Sequence, residues 1–126
     1  MTGLTPGTAG AQFAPDSITI DPAGRIGSDG SLTLTGTYRC WSSASGPVII
    51  GSKVLQGAAR AEPEGSAARC DGRVRTWRGV DRDGAGFRPG AAQGEVTLLR
   101  LDTSGGFVPF PVLLDNHRAE LTLRRS

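Results

Sequence analysis

At 126 residues and 13.1 kDa the chain has room for one domain with one modest core, not for two. Its 19 glycines and 8 prolines make up about a fifth of the residues, well above ordinary usage, which breaks helices and favours short strands. Fourteen basic residues, all arginine except Lys53, stand against twelve acids for a formal net charge of +2, so no nucleic-acid or membrane-attracting field follows.

Residues 1–15, MTGLTPGTAGAQFAP, hold no charged side chain and one large ring, Phe13. Residues 1–16 therefore read as a flexible N-terminal extension ahead of a domain spanning 17–126. Ser17 to Ile20 alternate as an opening or edge strand that stops at Asp21-Pro22. After a turn at Ser28-Asp29-Gly30, Leu32, Leu34, Tyr38 and Cys40 alternate with Thr33, Thr35, Thr37 and Arg39, giving one apolar face and one threonine ladder. Gly36 marks a bulge or a place of close packing in that strand.

Gly46-Pro47 opens VIIGSKVLQ, where Val48, Ile50 and Val54 read as inward and Ile49, Lys53 and Leu55 as outward. Pro63 and Gly65 make residues 57–66 a loop despite their alanines. Cys70 shares its parity with Ala68, so it points to the interior that Cys40 enters if both lie on strands. Asp71-Gly72 turns into RVRTWRGV, with Val74 and Val80 on one face and Arg73, Arg75 and Trp77 on the other. Residues 81–86 form a loop, and Phe87-Arg88-Pro89-Gly90 a turn with an aromatic anchor. Residues 91–101 and 118–124 read as two further strands. Between them, FVPFPVLL at 107–114 is uncharged and carries Pro109 and Pro111, so it is an edge or an extended loop and not a central strand. Six or seven short strands with turns every eight to twelve residues predict an all-β sandwich.

Cys40 and Cys70 lack metal-ligand or redox spacing. Two readings stand for them: a disulfide closing a loop of about thirty residues, worth roughly 3–4 kcal/mol, or two buried free thiols. No stretch approaches the eighteen apolar residues of a membrane helix, which predicts a soluble chain without membrane insertion. No leader precedes the domain, so if the chain is exported Met1 stands in for a removed one. No cofactor motif is present. His117, in Asp115-Asn116-His117, has no nucleophile partner and reads as a solvated turn residue. Asp81, Asp83 and Gly84 have the start of a calcium loop without its later oxygen ligands. Glu62 and Glu64 have no pairing logic for acid–base work.

Two groups of aromatic residues suit binding. Trp41, next to an inward cysteine, points outward or under a loop as an anchor, or caps a sheet edge. Arg73, Arg75 and Trp77 offer a cation–π face for a glycan, peptide or anion, unless Trp77 fills the core. The FVPFPVLL run is costly to leave in water, so it folds over an open edge or docks on a partner. An uncharged extension suits insertion into another protein's groove or sheet edge.

The runs GSLTLTGTYRC, GPVIIGSKVLQ, CDGRVRTW and FRPGAA together resemble a family of small secreted actinobacterial domains of unknown function with an Ig-like fold. The positions concerned are Gly36, Tyr38, Cys40, Gln56, Cys70, Asp71, Gly72, Thr76, Trp77, Phe87, Pro89, Gly90 and Ala91, across residues 18–101. The resemblance implies an Ig-like antiparallel β-sandwich of about seven strands, secretion and a Cys40–Cys70 disulfide, and it brings no catalytic residue. Some similar small secreted proteins are adaptors in umbrella-type antibacterial toxin particles, joining a lectin-like subunit to a toxin-bearing one. FVPFPVLL departs from the family pattern, which is more polar there.

The expectation is thus a secreted, non-enzymatic module that binds other secreted proteins. Its candidate contacts are Phe13, Trp41, Phe107, Val108, Phe110 and Val112. The rival is a carbohydrate- or cell-surface-binding module using the tryptophans with Arg73 and Arg75.

Overall fold

The computed structural model describes residues 15–41, 46–84 and 86–126; the candidate contact Phe13 lies outside the described residues. Nine strands and no helix occur among them: β1 (Ser17–Ile18), β2 (Ala23–Ile26), β3 (Leu32–Arg39), β4 (Val48–Gln56), β5 (Ala59–Ala61), β6 (Ser66–Ala67), β7 (Arg75–Asp81), β8 (Gly90–Asp102) and β9 (Phe110–Arg125). No described element is therefore a helix able to cross a membrane.

The strands form two layers of a sandwich. In one layer β3 pairs with β7 along one edge and with β1 and β2 along the other. In the other layer β8 lies between β4 and β9, and β4 is flanked by the short β5 and β6. This connectivity is Ig-like, with β3 and β7 in the places of strands B and E and β4, β8 and β9 in those of C, F and G. All pairings are antiparallel except one. β2 runs parallel to the end of β9, Ala23 opposite Thr122 and Ile26 opposite Arg125, which makes the sheet mixed and ties the two layers together.

The core follows from alternation. Leu32, Leu34, Tyr38 and Cys40 of the β3 run point inward against Val48, Ile50 and Val54 of β4, Ala92, Val96 and Leu98 of β8, and Leu121 and Leu123 of β9. Burying a side chain of that size stabilises by roughly 1.5–3 kcal/mol.

Several readings from sequence are corrected. Residues 57–66 are not all loop, because Gly57 (φ +58°) and Ala58 make a two-residue turn that folds β5 back on β4, and β6 follows Gly65. β2 was not foreseen, since AGRI is too short and mixed for a period. In β7 Trp77 and Gly79 are buried, so of the two readings of Trp77 the structure takes the one in which it fills the core, and Val74 precedes the strand and is exposed. Asp115, Asn116 and His117 lie inside β9, not in a turn. The proline-bearing edge stands as expected: the segment from Phe110 pairs with β8 from Asp102 inward and begins a sixteen-residue strand.

Candidate functional site

The residues that carry the sequence resemblance are held in structural roles. Cys40 and Cys70 form a disulfide with Cα atoms 4.5 Å apart. It lies within one layer, joining the end of β3 to the segment that enters β7, unlike the bond across layers in antibody domains. That segment is also pinned by the Gly72 N–H donating to the Cys40 carbonyl at 2.8 Å and the Arg69 N–H donating to the Tyr38 hydroxyl at 2.9 Å. Gln56 clamps the Phe87–Ala91 turn: its Nε2 donates to the carbonyls of Arg88 (2.8 Å) and Ala91 (3.0 Å), and its Oε1 accepts from the Arg88 N–H. Such a disulfide forms in an oxidising compartment.

Trp41 is 42% exposed, directly after Cys40. Its ring lies against Gly72, whose φ of +78° suits glycine and whose missing side chain makes the space. The Arg39 guanidinium sits 5.1 Å from the ring centroid while Arg39 Nε donates to the Gly72 carbonyl at 2.7 Å. Part of the indole is thus engaged by the chain's own groups.

The alternative ligand face does not assemble. Trp77 is buried in the core with Nε1 donating to the Thr19 carbonyl at 2.7 Å. Arg75 is bound to Asp71 by a two-point ion pair, with Nε to Oδ1 at 3.1 Å, and that hydrogen bond leads the causes that hold the Asp71 carboxyl down at about 2. Arg73 alone of the three projects freely into solvent.

Other polar groups are similarly occupied. Asp81 Oδ1 accepts the Asp83 N–H at 2.8 Å, an Asx turn that closes the 81–83 segment on itself. No group of three or more candidate metal ligands occurs among the described residues. On the outer face of β4, β8 and β9, Glu95 takes Asn116 Nδ2 (2.9 Å), Arg118 Nε (3.0 Å) and Lys53 Nζ (3.3 Å), and these donors, Asn116 foremost, lower its carboxyl to about 2. His117 is half-buried opposite Val96.

Four of the exposed large apolar residues lie at the β8–β9 hairpin, while Trp41, Leu55 and Val74 lie elsewhere. Phe107 is fully exposed, and Val108, Phe110 and Leu113 are 79%, 70% and 60% exposed. A bulge at Leu98/Leu99, where β9 has the extra residue Leu114, explains which side chains these are. It shifts the alternation, so Leu113 turns outward and Val112, opposite Arg100, is half-buried. Of the two, Val112 is thus the half-buried one and Leu113, which the sequence reading did not single out, the exposed one.

The outer edge of the hairpin is poorly suited to adding a strand. The Leu101 N–H donates to the Pro47 carbonyl at 2.8 Å, away from β9, so the facing pair Leu101–Pro111 shares no ladder bonds and Pro111 turns its backbone toward the free edge. A proline there offers no donor.

The base of the hairpin meets the start and other ends of the chain. The Ile18 N–H donates to Asp115 Oδ2 at 2.9 Å, and the Trp41 N–H to Asp16 Oδ1 at 3.1 Å. The point where residues 1–14 join the domain, Trp41 and the root of the apolar hairpin therefore lie at one end of the sandwich.

A family model described as a family of unknown function, DUF6299, matches residues 14–126. No curated protein matches the chain.

Proposed function

We propose that this chain, which belongs to the family of unknown function DUF6299, is a secreted protein-binding module that holds another secreted protein through the end of the sandwich bearing the β8–β9 hairpin. The observation behind this reading is the uncharged run from Gly105 to Leu114, which displays two phenylalanines, a valine and a leucine to solvent. Soluble monomers seldom expose contiguous apolar patches larger than a few hundred Å² without an interaction to serve. Aromatic side chains desolvated in a partner's pocket supply most of the energy of such contacts.

The disulfide supports an extracellular setting. A binding role, not a catalytic one, is supported by the way Cys40, Gln56, Cys70 and Asp71 are used up in holding turns and strands. The N-terminal extension 1–16, whose Asp16 lies beside Trp41 at that end, adds a second contact, and the resemblance to toxin-particle adaptors suggests lectin-like and toxin-bearing secreted proteins as partners.

The test is affinity capture from the producing organism's culture supernatant with the wild-type chain, with Phe107→Ser/Phe110→Ser and with a chain lacking residues 1–14. A partner held by the wild type and lost by the hairpin variant supports the reading; equal capture by both contradicts it. A glycan array addresses the rival, favoured by Trp41 beside Arg39: sugar binding abolished by Trp41→Ala would replace the protein partner.

A further inference from the structure

The nine strands are one continuous sheet that curls over the core without closing, ending at β7 on one side and at β5 and β6 beside β4 on the other. A cleft follows this seam, with Arg78, Val80 and Arg82 on one bank and Glu62, Glu64 and Ser66 on the other.

The edge of β7 along the cleft is open. The carbonyls of Thr35 and Thr37 accept from Asp21 and Thr19, so these residues turn their backbone away from β7. Their facing partners Arg78 and Thr76 therefore share no ladder bonds with β3, and by alternation the main-chain N–H and C=O of Thr76, Arg78 and Val80 point into the seam. No described residue pairs with them, and no proline or bulge blunts them. The contrast is the hairpin edge of β9, which Pro111 blocks.

We propose that this seam is a strand-addition site for an extended segment of a partner polypeptide, hydrogen-bonded to the main chain of Thr76, Arg78 and Val80, with one carboxylate opposite Arg78. Arg78 is exposed and has no acidic partner among the described residues, so a carboxylate on the added strand meets an unneutralised cation. Glu62 on the far bank is already paired with Arg60 at 3.1 Å, while Glu64 remains to repel an acidic run. One acidic residue flanked by uncharged β-formers fits both banks. A second copy fits badly, since antiparallel pairing of two β7 edges about Arg78 sets the two guanidinium groups against each other. The site is separate from the hairpin and stands whether or not the hairpin docks a protein.

The probe is a blocked seven-residue peptide of threonine and valine with one central glutamate, titrated to millimolar concentration into the isotopically labelled full chain and followed by amide chemical shifts. Saturable shifts centred on Thr76, Arg78 and Val80 are expected. Arg78→Glu should weaken binding about fivefold or more, and a central lysine in the peptide should restore it. Phe107→Ser should bind the peptide unchanged, which separates this result from the fate of the hairpin reading. Absence of saturable shifts, equal binding of glutamate and lysine peptides to the wild type, or amides of Thr76, Arg78 and Val80 already protected from exchange in the free chain would overturn the proposal.

Discussion

The indole of Trp77 lies across Gly36 on the neighbouring strand, and its Nε1 donates to the carbonyl of Thr19 at 2.7 Å. A side chain at position 36 would run into both the indole and that carbonyl. Overpacking of this kind costs about 1–3 kcal/mol, so Gly36→Ala should lower the urea midpoint accordingly. Trp77→Phe, which leaves the Thr19 carbonyl without its donor, should cost a further type of penalty of roughly 1–3 kcal/mol plus lost packing. A midpoint unmoved by Gly36→Ala would show that the ring does not rest where described.

The Cys40–Cys70 bond spans 30 residues of sequence. Constraint of the unfolded chain by a loop of that size is worth about 3–4 kcal/mol. Wild type in reductant and Cys40→Ala/Cys70→Ala should unfold at closely similar, lower denaturant concentrations, and reductant should leave the double variant unaffected. Identical midpoints for oxidised and reduced wild type would contradict the stabilising role.

Acid should loosen the fold through two carboxylates. Glu95 is lowered from 4.5 to about 2 by Asn116, Arg118 and Lys53, and Asp71 from 3.8 to about 2 chiefly by Arg75. A depressed native pKa means that the stabilisation is present above the unfolded-state value and is lost as pH falls from about 4.5 through 2. Both groups are solvent-accessible, so the slope is gentle and weakens in salt. Glu95→Gln and Asp71→Asn should each flatten the acid limb of stability against pH; unchanged limbs would mean that the ion pairs contribute nothing.

Gln56 makes three hydrogen bonds to the Phe87–Ala91 turn, two as donor. Gln56→Ala should cost about 1–2 kcal/mol. Gln56→Glu should cost more, because its carboxylate would face the carbonyls of Arg88 and Ala91. Thermal melts of the pair establish the order, and Glu equal to or better than Gln would contradict the clamp.

Alternation made much of this fold readable from sequence. The β3 run, the inward Val48, Ile50 and Val54, and the strands ending in Leu101 and Arg124 all stand where period-two patterning puts them. What escaped was set by non-local geometry. β2 exists because its four residues find the end of β9 alongside, a parallel pairing with no local signature. Trp77 was legible either as core or as part of a ligand face, and what decides for the core is the room Gly36 leaves for the ring, a fit between residues 41 positions apart. At the hairpin the aromatic run was legible as an oddity, but the exchange of Val112 for Leu113 depends on a bulge that a pattern of apolar residues does not reveal. Trp41 was legible as an outward anchor or a cap over a sheet edge, though its contacts with Arg39 and Gly72 come from the disulfide drawing the two segments together.

The hairpin proposed to dock a protein does little for the fold. Phe107 and Phe110 are almost free of intramolecular cover, so Phe107→Ser/Phe110→Ser should leave the unfolding free energy within about 0.5 kcal/mol of wild type. Loss of two aromatic anchors, at about 2 kcal/mol or more each, should weaken binding of a captured partner by roughly a thousandfold. The decisive measurement is therefore the double variant's denaturant midpoint together with its dissociation constant for that partner. Unchanged stability with affinity lost is the predicted result; affinity retained, or affinity and stability lost together, would contradict it.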